Sequence, residues 1–544
     1  MKRIVCLFLL FTIGLSSAFS EEVTIAVGDQ FRDTDGNLVQ AHGGGILKYD
    51  GYYYWFGENR SGDNLVACYR SRNFKDWEFR NNVLRRSFHS ELQTANIERP
   101  KVIYNPSTGK FIMWAHKEMQ SDYGQARACV AVCDRIDGNY TWLRSFRPLN
   151  HMSRDCTLFV DDNGRAYFIS AANENYDLHI YRLTADFLDV EALLYNFDGF
   201  HREAPAIFKH QGTYFLVTSG ATGWDPNQGQ YATATSLSGP WSGWRNIGNS
   251  TTFQSQPTYI QPITGSEGTS YLYMGDRWAG AWDGPVNDSR YVWLPICVTS
   301  SNSITLPYSN GITLNAETGL LLNGMVVKEN NKSVIYLNDT AEGNGLNNFD
   351  YAGDWSYGAE TNAYEGDNHW SGDANEYYEV RFKGIQIELY GGKASNHGMA
   401  AVSVDASAET MVDFYASSRS DKALLYTSPL LAYGNHSLKV RVTASKNSNS
   451  GGTAITADMV KITVSDGSTE TPSPSPEPTP IVKAGDVNSD GQVNIVDALL
   501  VAQYYVGLLE SINFEAADVN RDNTVNIVDA LLIARAYVGL ENIE

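Results

Sequence analysis

The sequence has few basic residues and, after its first twenty residues, no long hydrophobic run. Lys and Arg number 41 against 62 Asp and Glu, which gives a net charge of −21. A nucleic acid or an anionic membrane surface needs a basic face on the protein that binds it, so we expect neither as a partner. No stretch after residue 20 reaches the roughly 18 to 20 apolar residues of a membrane-spanning helix.

Cysteine is also scarce, with 6 residues in 544. One of them, Cys6, lies in residues 1–20, which begin with basic residues, continue as an apolar run and end with Ala18 and Ser20 at the small-residue positions of a cleavage site. This pattern is typical of a secretory signal peptide, so we expect a secreted, extracellular mature chain. The remaining cysteines are odd in number and lack metal-type spacing, so at least one should be free unless it pairs between chains, and most should be buried.

Aromatic residues and glycine are abundant instead, and they recur in a repeated pattern. In residues 201–220, HREAPAIFKHQGTYFLVTSG, an acidic residue and a proline introduce a strand, a glycine turn and an aromatic-rich strand. Weaker copies begin at Gly43, Glu98, Asp155 and Ser255, and a period of roughly fifty residues suits one four-stranded blade. Five copies predict an all-β protein whose residues 21–322 form a five-bladed β-propeller.

Three further segments follow the repeats. Residues 332–465 contain alternating strands with polar links, which predict one β-sandwich. Residues 466–483 are rich in Pro, Ser and Thr and predict an extended linker that buries no core. Residues 484–544 contain two similar loops, each followed by a helical run, and predict a small α-helical domain.

The two loops, DVNSDGQVNIVD and DVNRDNTVNIVD, carry oxygen-bearing side chains at positions 1, 3, 5, 9 and 12. This spacing matches an EF-hand-type calcium loop, with Asp in place of the usual Glu at position 12. We expect two Ca²⁺ ions, held by Asp486, Asn488, Asp490, Asn494 and Asp497 and by Asp518, Asn520, Asp522, Asn526 and Asp529.

If the first residues of the repeats converge, one pocket receives Glu98, Asp155, Glu203 and a glutamine near 256. Crowded carboxyl groups push their pKa values apart, so that one stays protonated while another stays charged, as glycoside hydrolysis requires. The alternative is that acidic residues before proline cap turns. Nearby tryptophans either stack on sugar rings or pack the sheets; they are Trp224, Trp241, Trp278 and Trp282.

The ordered series GGGILKYDGYYYWFGE, ERPKVIYN, RDCTLFVDDNGRAYFIS, REAPAIFKHQGTYFLVTS and SQPTYI resembles glycoside hydrolase family 43, and within it the exo-β-1,3-galactanase branch. The resemblance covers about residues 24–322 and implies an inverting enzyme on a five-bladed propeller. It implies that Glu203 is the general acid and that Asp155 tunes the pKa of this acid and orients it. It also implies that Glu98 is an additional carboxylate that contacts the substrate.

One departure from the wider family concerns the general base. Most members carry an Asp-Pro whose Asp is the base, and the matching stretch here is His42-Gly43-Gly44-Gly45. In the galactanase branch a glutamine positions or activates the water, and Gln256 is the match. A normal amide is too weak a base near neutral pH, so the position of Gln256 is better supported than proton transfer to it. Gln254, expected to point the same way on a strand, is the alternative.

Two further resemblances concern the segments after the repeats. The sandwich resembles galactose-binding-like carbohydrate-binding modules, with Trp355, Tyr364, His369 and Trp370 as candidate ligand contacts, unless these aromatics close the ends of the sandwich. The tail resembles a type I dockerin, which implies calcium and a cohesin partner on a scaffoldin. At the positions that steer cohesin choice stand Ile495-Val496 and Ile527-Val528, which suggest an apolar contact unless they pack against the other loop.

These observations predict a secreted, cellulosome-associated exo-β-1,3-galactanase that releases galactose from β-1,3-galactan, such as the arabinogalactan backbone. We expect no cofactor for hydrolysis. One alternative is an α-L-arabinofuranosidase or β-xylosidase of the same family, which the glycine run disfavours. Another is a propeller that binds galactan without cutting it, which the missing base favours.

Overall fold

The computed structural model describes residues 22–330, 332–465, 483–488, 492–509, 512–522 and 524–540. The expected signal peptide, nearly all of the expected linker and Asp490 lie outside these residues. The chain divides into two compact units, residues 1–467 and 468–544. Among the described residues, no helix is long and apolar enough to cross a membrane.

The first unit begins with β1 (Val23–Ala26) and continues as five four-stranded antiparallel sheets, I to V, each formed by consecutive strands. Sheet I contains β2 (His42–Tyr49), β3 (Tyr52–Glu58), β4 (Asn64–Ser71) and β5 (Glu78–Arg85). Sheet II contains β6 (Ala95–Asn105), β7 (Lys110–Met119), β8 (Arg127–Cys133) and β9 (Thr141–Phe146). Sheet III contains β10 (Cys156–Val160), β11 (Ala166–Ala172), β12 (Asp177–Leu183) and β13 (Val190–Phe197).

Sheet IV contains β14 (Arg202–His210), β15 (Thr213–Gly220), β16 (Gln230–Ala234) and β17 (Arg245–Asn246). Sheet V contains β18 (Gln256–Gly265), β19 (Gly268–Arg277), β20 (Arg290–Ser300) and β21 (Ser303–Thr305). The first strands β2, β6, β10, β14 and β18 contact one another in this order, and β18 also contacts β2. The five sheets therefore follow one another in a cycle, and each predicted repeat supplies the first hairpin of one sheet.

Two strands that follow sheet V, β22 (Gly311–Asn315) and β23 (Leu320–Asn323), form a small sheet with β1. The register of this pairing places Val23 opposite Leu314. The beginning of the described chain is thereby tied to the end of the five-sheet region.

In the rest of the first unit, the described residues form two five-stranded sheets and one three-stranded sheet. One five-stranded sheet contains β24 (Val326–Glu329), β25 (Lys332–Asn338), β30 (Gln386–Lys393), β33 (Ser420–Thr427) and β36 (Met459–Ser465). The other contains β26 (Asn348–Ala352), β29 (Tyr377–Gly384), β31 (Met399–Val404), β32 (Thr410–Asp413) and β34 (Gly434–Val442). The small sheet contains β27 (Ser356–Ala359), β28 (Asp367–Ser371) and β35 (Ile455–Ala457). We call this region the sandwich.

The burial of the strands explains their sequences. In sheets I to V the middle strands are covered on both faces by neighbouring sheets, so β11 is buried at every position and its sequence is apolar except for Ser170. In the sandwich, β29 alternates buried and half-buried positions, because one face packs on the core. The all-β expectation is confirmed. The five cysteines of the described chain are free, and Cys68, Cys129 and Cys156 are buried.

The described residues of the second unit form three helices, α1 (Ile495–Tyr505), α2 (Phe514–Ala517) and α3 (Ile527–Tyr537). Asn494 caps α1 and Asn526 caps α3, and each helix has a capping box completed by the Asp three residues later. The helices therefore begin three residues before the helical runs that the sequence suggested. Asp497 and Asp529, two predicted calcium ligands, lie in the first helical turns.

Candidate active site

The first strands of sheets II and IV share a local irregularity at their N-terminal ends. Glu98 is followed by Arg99 at φ 54°, and Glu203 by Ala204 at φ 51°. A proline comes next in both sequences, and each hairpin skips a pairing at this point. Such β-bulges redirect side chains and are common beside functional sites. The two Glu-x-Pro sequences thus carry both carboxyl groups to one cavity.

This cavity, called here the catalytic cavity, has a volume of about 220 Å³. Its wall contains the predicted residues Glu98, Asp155, Glu203 and Gln256. The structure therefore brings together side chains from four different sheets. The rest of the wall consists of Glu58, Arg60, Arg99, His116, Tyr123, Arg154, Asn175, Gly223, Trp224 and Trp278.

Glu203 is the carboxyl group best suited to hold a proton in this cavity. Its side chain is buried, with Oε1 accepting from Gln256 Nε2 at 2.9 Å and Oε2 accepting from Asn175 Nδ2 at 2.9 Å. Burial, and then the negative charge of Asp155, raise the pKa of Glu203 to about 8, although Arg99 opposes the shift. The Glu203 carboxyl group is therefore protonated near neutral pH and can donate its proton.

The amide of Gln256 is held in one orientation. Its Oε1 accepts from Trp278 Nε1 at 2.7 Å and from Arg99 Nη2, and both of these groups can only donate. The Nε2 must therefore face Glu203 and Ser219, to each of which it donates at 2.9 Å. All four hydrogen-bonding positions of this amide are occupied.

Arg99 links the predicted residues and was not expected from the sequence, although it lies inside the Glu-Arg-Pro motif. It is buried, and its Nη2 lies 3.0 Å from Asp155 Oδ2. Its Nη1 donates to the backbone oxygen of Pro257 at 2.9 Å, next to Gln256. The guanidinium group thus fixes Asp155 and Gln256 together, while its charge limits the pKa of Glu203.

Glu98 lies in a basic environment that differs from that of Glu203. Its Oε1 accepts from Arg60 Nη2 at 2.8 Å and from the Tyr123 hydroxyl at 2.9 Å, and its Oε2 lies 3.2 Å from His116 Nδ1. Burial opposes ionisation of Glu98, but His116 and Arg60 together lower its pKa below the usual range. Glu98 is therefore an ionised acceptor rather than a proton donor.

One group in this wall has the donor atoms of a metal site. Glu98, His116 and Asp155 each place one such atom within 4.8 Å of the others. However, His116 Nε2 hydrogen-bonds to Glu118 Oε1 at 2.9 Å, and Glu118 and Glu98 together raise the pKa of His116 to about 9, although burial opposes the shift. Arg60 and Arg99 already balance the carboxylate charges. These cations make the group a poor site for a metal ion.

The glycine run at the start of β2 has a steric reason. Gly43 has φ 59°, and a Cβ atom there would lie 2.5 Å from Oε1 of Glu58. Glu58 is buried, accepts from the backbone N–H of Arg99 at 3.2 Å and pairs with Arg60 at 2.7 Å. Burial raises the pKa of Glu58, an effect that Arg60 opposes. The space beside this glycine is thus filled by another carboxyl group.

A second cavity, called the connecting cavity, has a volume of about 310 Å³ and shares Gly223, Trp224, Gln256 and Trp278 with the catalytic cavity. Trp224 and Trp278 meet edge to face with ring centroids 5.6 Å apart. Trp282, which is 47% exposed, lines the connecting cavity.

Two other candidates near these cavities have different positions. Trp241 packs against Phe197 at 5.5 Å between sheets III and IV. Gln254 does not point the same way as Gln256, because it precedes β18 in a left-handed turn at φ 57°. Its exposed side chain lines the connecting cavity, whereas Gln256 reaches Glu203.

The candidate contacts in the sandwich are exposed to different degrees. Trp355 is half-buried and meets Tyr378 edge to face at 5.3 Å. His369 is buried, with Nδ1 2.7 Å from Asp339 Oδ2. Tyr364 is half-buried, and Trp370 is 39% exposed.

The two loops of the second unit have buried carboxylates. Asp497 and Asp529 are fully buried, and Asp497 Oδ1 accepts from the backbone N–H groups of Val487 and Asn488 at 2.8 and 3.1 Å. The donor set consists of carboxylate and amide oxygens, which fits Ca²⁺. The apolar pairs Ile495-Val496 and Ile527-Val528 are each about half exposed.

Residues 44–278 match the family model of the glycosyl hydrolases family 43, and residues 484–536 match the type I dockerin domain. No curated protein sequence matches the chain significantly. Several solved structures do match the chain. An exo-β-1,3-galactanase from Clostridium thermocellum is 42% identical, with 65% of this chain and 86% of that chain covered and a TM-score of 0.56.

An exo-β-1,3-galactanase from Phanerochaete chrysosporium, solved with galactose, is 28% identical, with 81% of this chain and 100% of that chain covered and a TM-score of 0.54. A variant of that enzyme with a glutamate replaced by alanine, solved with β-1,3-galactotriose, is 27% identical with the same coverage and TM-score. With a 42% identical relative covered over 86% of its length, this chain belongs to the glycosyl hydrolases family 43 and is a glycoside hydrolase that carries a type I dockerin domain.

Proposed function

We propose that this glycoside hydrolase is an inverting exo-β-1,3-galactanase, which removes galactose from the non-reducing end of β-1,3-galactan. The observation that carries the proposal is the pair formed by the Glu203 carboxyl group and the Gln256 amide at the end of the five first strands. The cyclic order of sheets I to V further supports a five-bladed propeller around this pair.

Glu203 is the general acid. Because its pKa is raised to about 8, it is protonated near neutral pH and can donate its proton to the glycosidic oxygen as the bond to the anomeric carbon breaks. Asp155 keeps this proton in place through its charge, and Arg99 keeps Asp155 in position at 3.0 Å. As this bond breaks, water attacks the anomeric carbon from the opposite face, which inverts its configuration. The proton that the water loses passes to solvent, and Glu203 regains its proton from solvent.

Gln256 is the residue that positions this water. The imidic acid tautomer of the Gln256 side chain would carry a proton on Oε1. Trp278 and Arg99 both donate to this oxygen, so the hydrogen-bond pattern favours the ordinary amide. Since all its hydrogen-bonding positions are occupied, Gln256 must release one partner before it binds water. The bond to Glu203 is the one that substrate breaks, because the glycosidic oxygen takes the place of the amide beside the acid.

Glu98 binds sugar hydroxyl groups. An ionised carboxylate held by Arg60, His116 and Tyr123 is a fixed acceptor, which supports the substrate-contacting role expected from the sequence. The structures of the fungal relative with galactose and with β-1,3-galactotriose support the same substrate class. The stretch His42-Gly43-Gly44-Gly45 stands where most of the family carries the base Asp, and a Cβ atom at Gly43 would lie 2.5 Å from Glu58 Oε1, which disfavours an arabinofuranosidase or β-xylosidase.

The other parts of the chain suggest delivery to plant polysaccharide. We propose that the sandwich is a carbohydrate-binding module and that the dockerin binds two Ca²⁺ ions and a cohesin of a scaffoldin. In the first loop the ion would be held by Asp486, Asn488, Asp490, Asn494 and Asp497, and in the second by Asp518, Asn520, Asp522, Asn526 and Asp529. Secretion through residues 1–20 would place the enzyme in an extracellular cellulosome.

The test is an assay of the purified chain on β-1,3-galactan, an aryl arabinofuranoside and an aryl xyloside, beside a Glu203→Gln variant. We expect the parent to release galactose from galactan and no sugar from the two aryl glycosides. The rate of galactose release should be about 10²- to 10⁴-fold lower in the variant. Binding of galactan without release would favour the non-catalytic alternative. Release of arabinose or xylose would favour the other enzymes of the family.

A further inference from the structure

The connecting cavity leads away from the catalytic cavity to a third, larger cavity. This third cavity has a volume of about 790 Å³ and shares Thr251, Gln254 and Arg277 with the connecting cavity. Its other wall belongs to the sandwich and includes Glu342, Tyr357, Glu365 and Asp367. We call it the intermodule cleft, because residues 246–308 face residues 340–367 across it.

The two walls of the cleft are held together by polar contacts. Near the cleft, Asn310 donates to Glu365 at 2.6 Å. Beside it, the buried pair Asn323 and Asn348 forms a hydrogen bond of 2.7 Å. Buried amide pairs of this kind are costly to separate, so the cleft is a built feature of the first unit.

Tyr357 offers a fixed aromatic surface in the cleft. It is 57% exposed, and its hydroxyl donates to Asp367 Oδ2 at 3.0 Å. Its ring lies 4.8 Å from that of His369, which Asp339 holds in turn. An exposed but immobilised aromatic ring costs little conformational entropy on binding and can stack on the apolar face of a sugar.

The charges of the cleft favour an uncharged ligand. Its wall carries the carboxyl groups of Glu342, Glu365 and Asp367 and one cation, Arg277. That cation already donates to the backbone oxygens of Phe253 and Gln254. An anionic polymer would be repelled here, whereas the hydroxyl groups of a neutral sugar chain can donate to the carboxylates.

We propose that the intermodule cleft binds the galactose units that follow the scissile bond, so that the sandwich forms part of the substrate path. This inference rests on the proposed function. An exo-acting site takes the terminal sugar into the catalytic cavity, and the rest of the chain then runs through the connecting cavity, past Trp224 and Trp282, to Tyr357 in the cleft. The cleft therefore favours long galactan chains over short ones.

The experiment measures kcat/KM of the full chain on β-1,3-linked galactooligosaccharides of two to six units. For the parent, we expect kcat/KM to rise with chain length. In Tyr357→Ala, the ratio of kcat/KM for the hexasaccharide to that for the disaccharide should fall by about five- to tenfold, the loss expected for one aromatic contact. Tyr357→Phe, which keeps the ring, should retain most of the ratio.

Tyr433→Ala is the matched control, because Tyr433 is a sandwich tyrosine that is 43% exposed and lines none of the three cavities described. Its length ratio should equal that of the parent. An unchanged ratio in Tyr357→Ala would overturn the inference while leaving the proposed function intact. If the parent released no galactose from any substrate, the proposed function would fail. Calorimetry of hexasaccharide and disaccharide binding would then test whether the cleft binds the sugar chain. If the parent and Tyr357→Ala bound the hexasaccharide with equal affinity, the proposed role of the cleft would be overturned.

Discussion

The charge of Asp155, together with burial, should determine the pH above which the enzyme loses activity. Glu203 must be protonated to act, and its pKa of about 8 in the free enzyme predicts that kcat/KM falls as pH rises through about 8. Asp155→Asn removes the negative charge but keeps an oxygen that can accept from Arg99. Removing a neighbouring negative charge makes ionisation of Glu203 easier, so the pKa of Glu203 must fall. The basic limb of the pH profile, where kcat/KM declines, must then move to lower pH.

The size of the shift follows from Coulomb's law. At about 6 Å, the upper end of the range over which a neighbouring charge shifts a pKa, two carboxylates repel by about 3 kcal/mol at an effective dielectric constant of about 20, which corresponds to about 2 pKa units. Burial, the larger cause of the raised pKa of Glu203, remains in Asp155→Asn. We therefore expect the limb to move down by about 1 to 2 units and to stay above the value of an ordinary carboxyl group.

The assay is kcat/KM on β-1,3-galactobiose as a function of pH. The control is Asp162→Asn, which removes the same charge from the same sheet at a side chain that is 84% exposed. Its basic limb should coincide with that of the parent. A limb that stays in place in Asp155→Asn, or that moves to higher pH, would refute the role given to Asp155.

Three more predictions concern the base position, the glycine run and calcium. Gln256→Ala should lower kcat/KM by about 10²-fold. The hydrogen bond from Gln256 lowers the pKa of Glu203, so its loss should raise that pKa and move the basic limb of the pH profile to higher pH. A limb at lower pH would contradict this. Gly43→Asp should not create a new base but should destabilise the fold by about 2 kcal/mol or more in urea unfolding. Gly51→Asp, at φ 75° with open space around it, should cost less, and equal losses would argue against the clash. Chelation of calcium should abolish cohesin binding in a pull-down, and binding that persists in excess EDTA would count against the two calcium sites.

The arrangement of the sheets was largely predictable from the sequence, because each sheet begins with a local repeat. The small sheet of β1, β22 and β23 was not predictable, since β1 has only four residues and pairs with a strand almost 290 positions later in the chain. The sandwich likewise begins with β24 at Val326, before the change in sequence character at residue 332. Short edge strands carry too little local pattern to be recognised alone.

In the candidate active site, the predicted Glu98, Asp155, Glu203 and Gln256 could be found because each lies near the start of a repeat. Arg99 could not be assigned a role, because its partners come from several sheets that only the closed cycle brings together.

Other features depended on contacts that no local pattern shows. Glu58 ends β3, yet it acts on the glycine run through the space left beside Gly43. Gln254 was expected to share the direction of Gln256, but β18 begins only at Gln256, and Gln254 lies in the left-handed turn before this strand. The exposure of Tyr357 depends on how the sandwich packs beside sheet V.

Proton NMR of the first turnovers on β-1,3-galactotriose tests the proposed reaction by its stereochemistry. If Glu203 donates the proton while water held by Gln256 attacks from the opposite face, the galactose released must appear first as the α-anomer, with β-1,3-galactobiose as the other product. A β-anomer that appears first would contradict inversion, and cleavage that leaves no free galactose would contradict exo-acting hydrolysis.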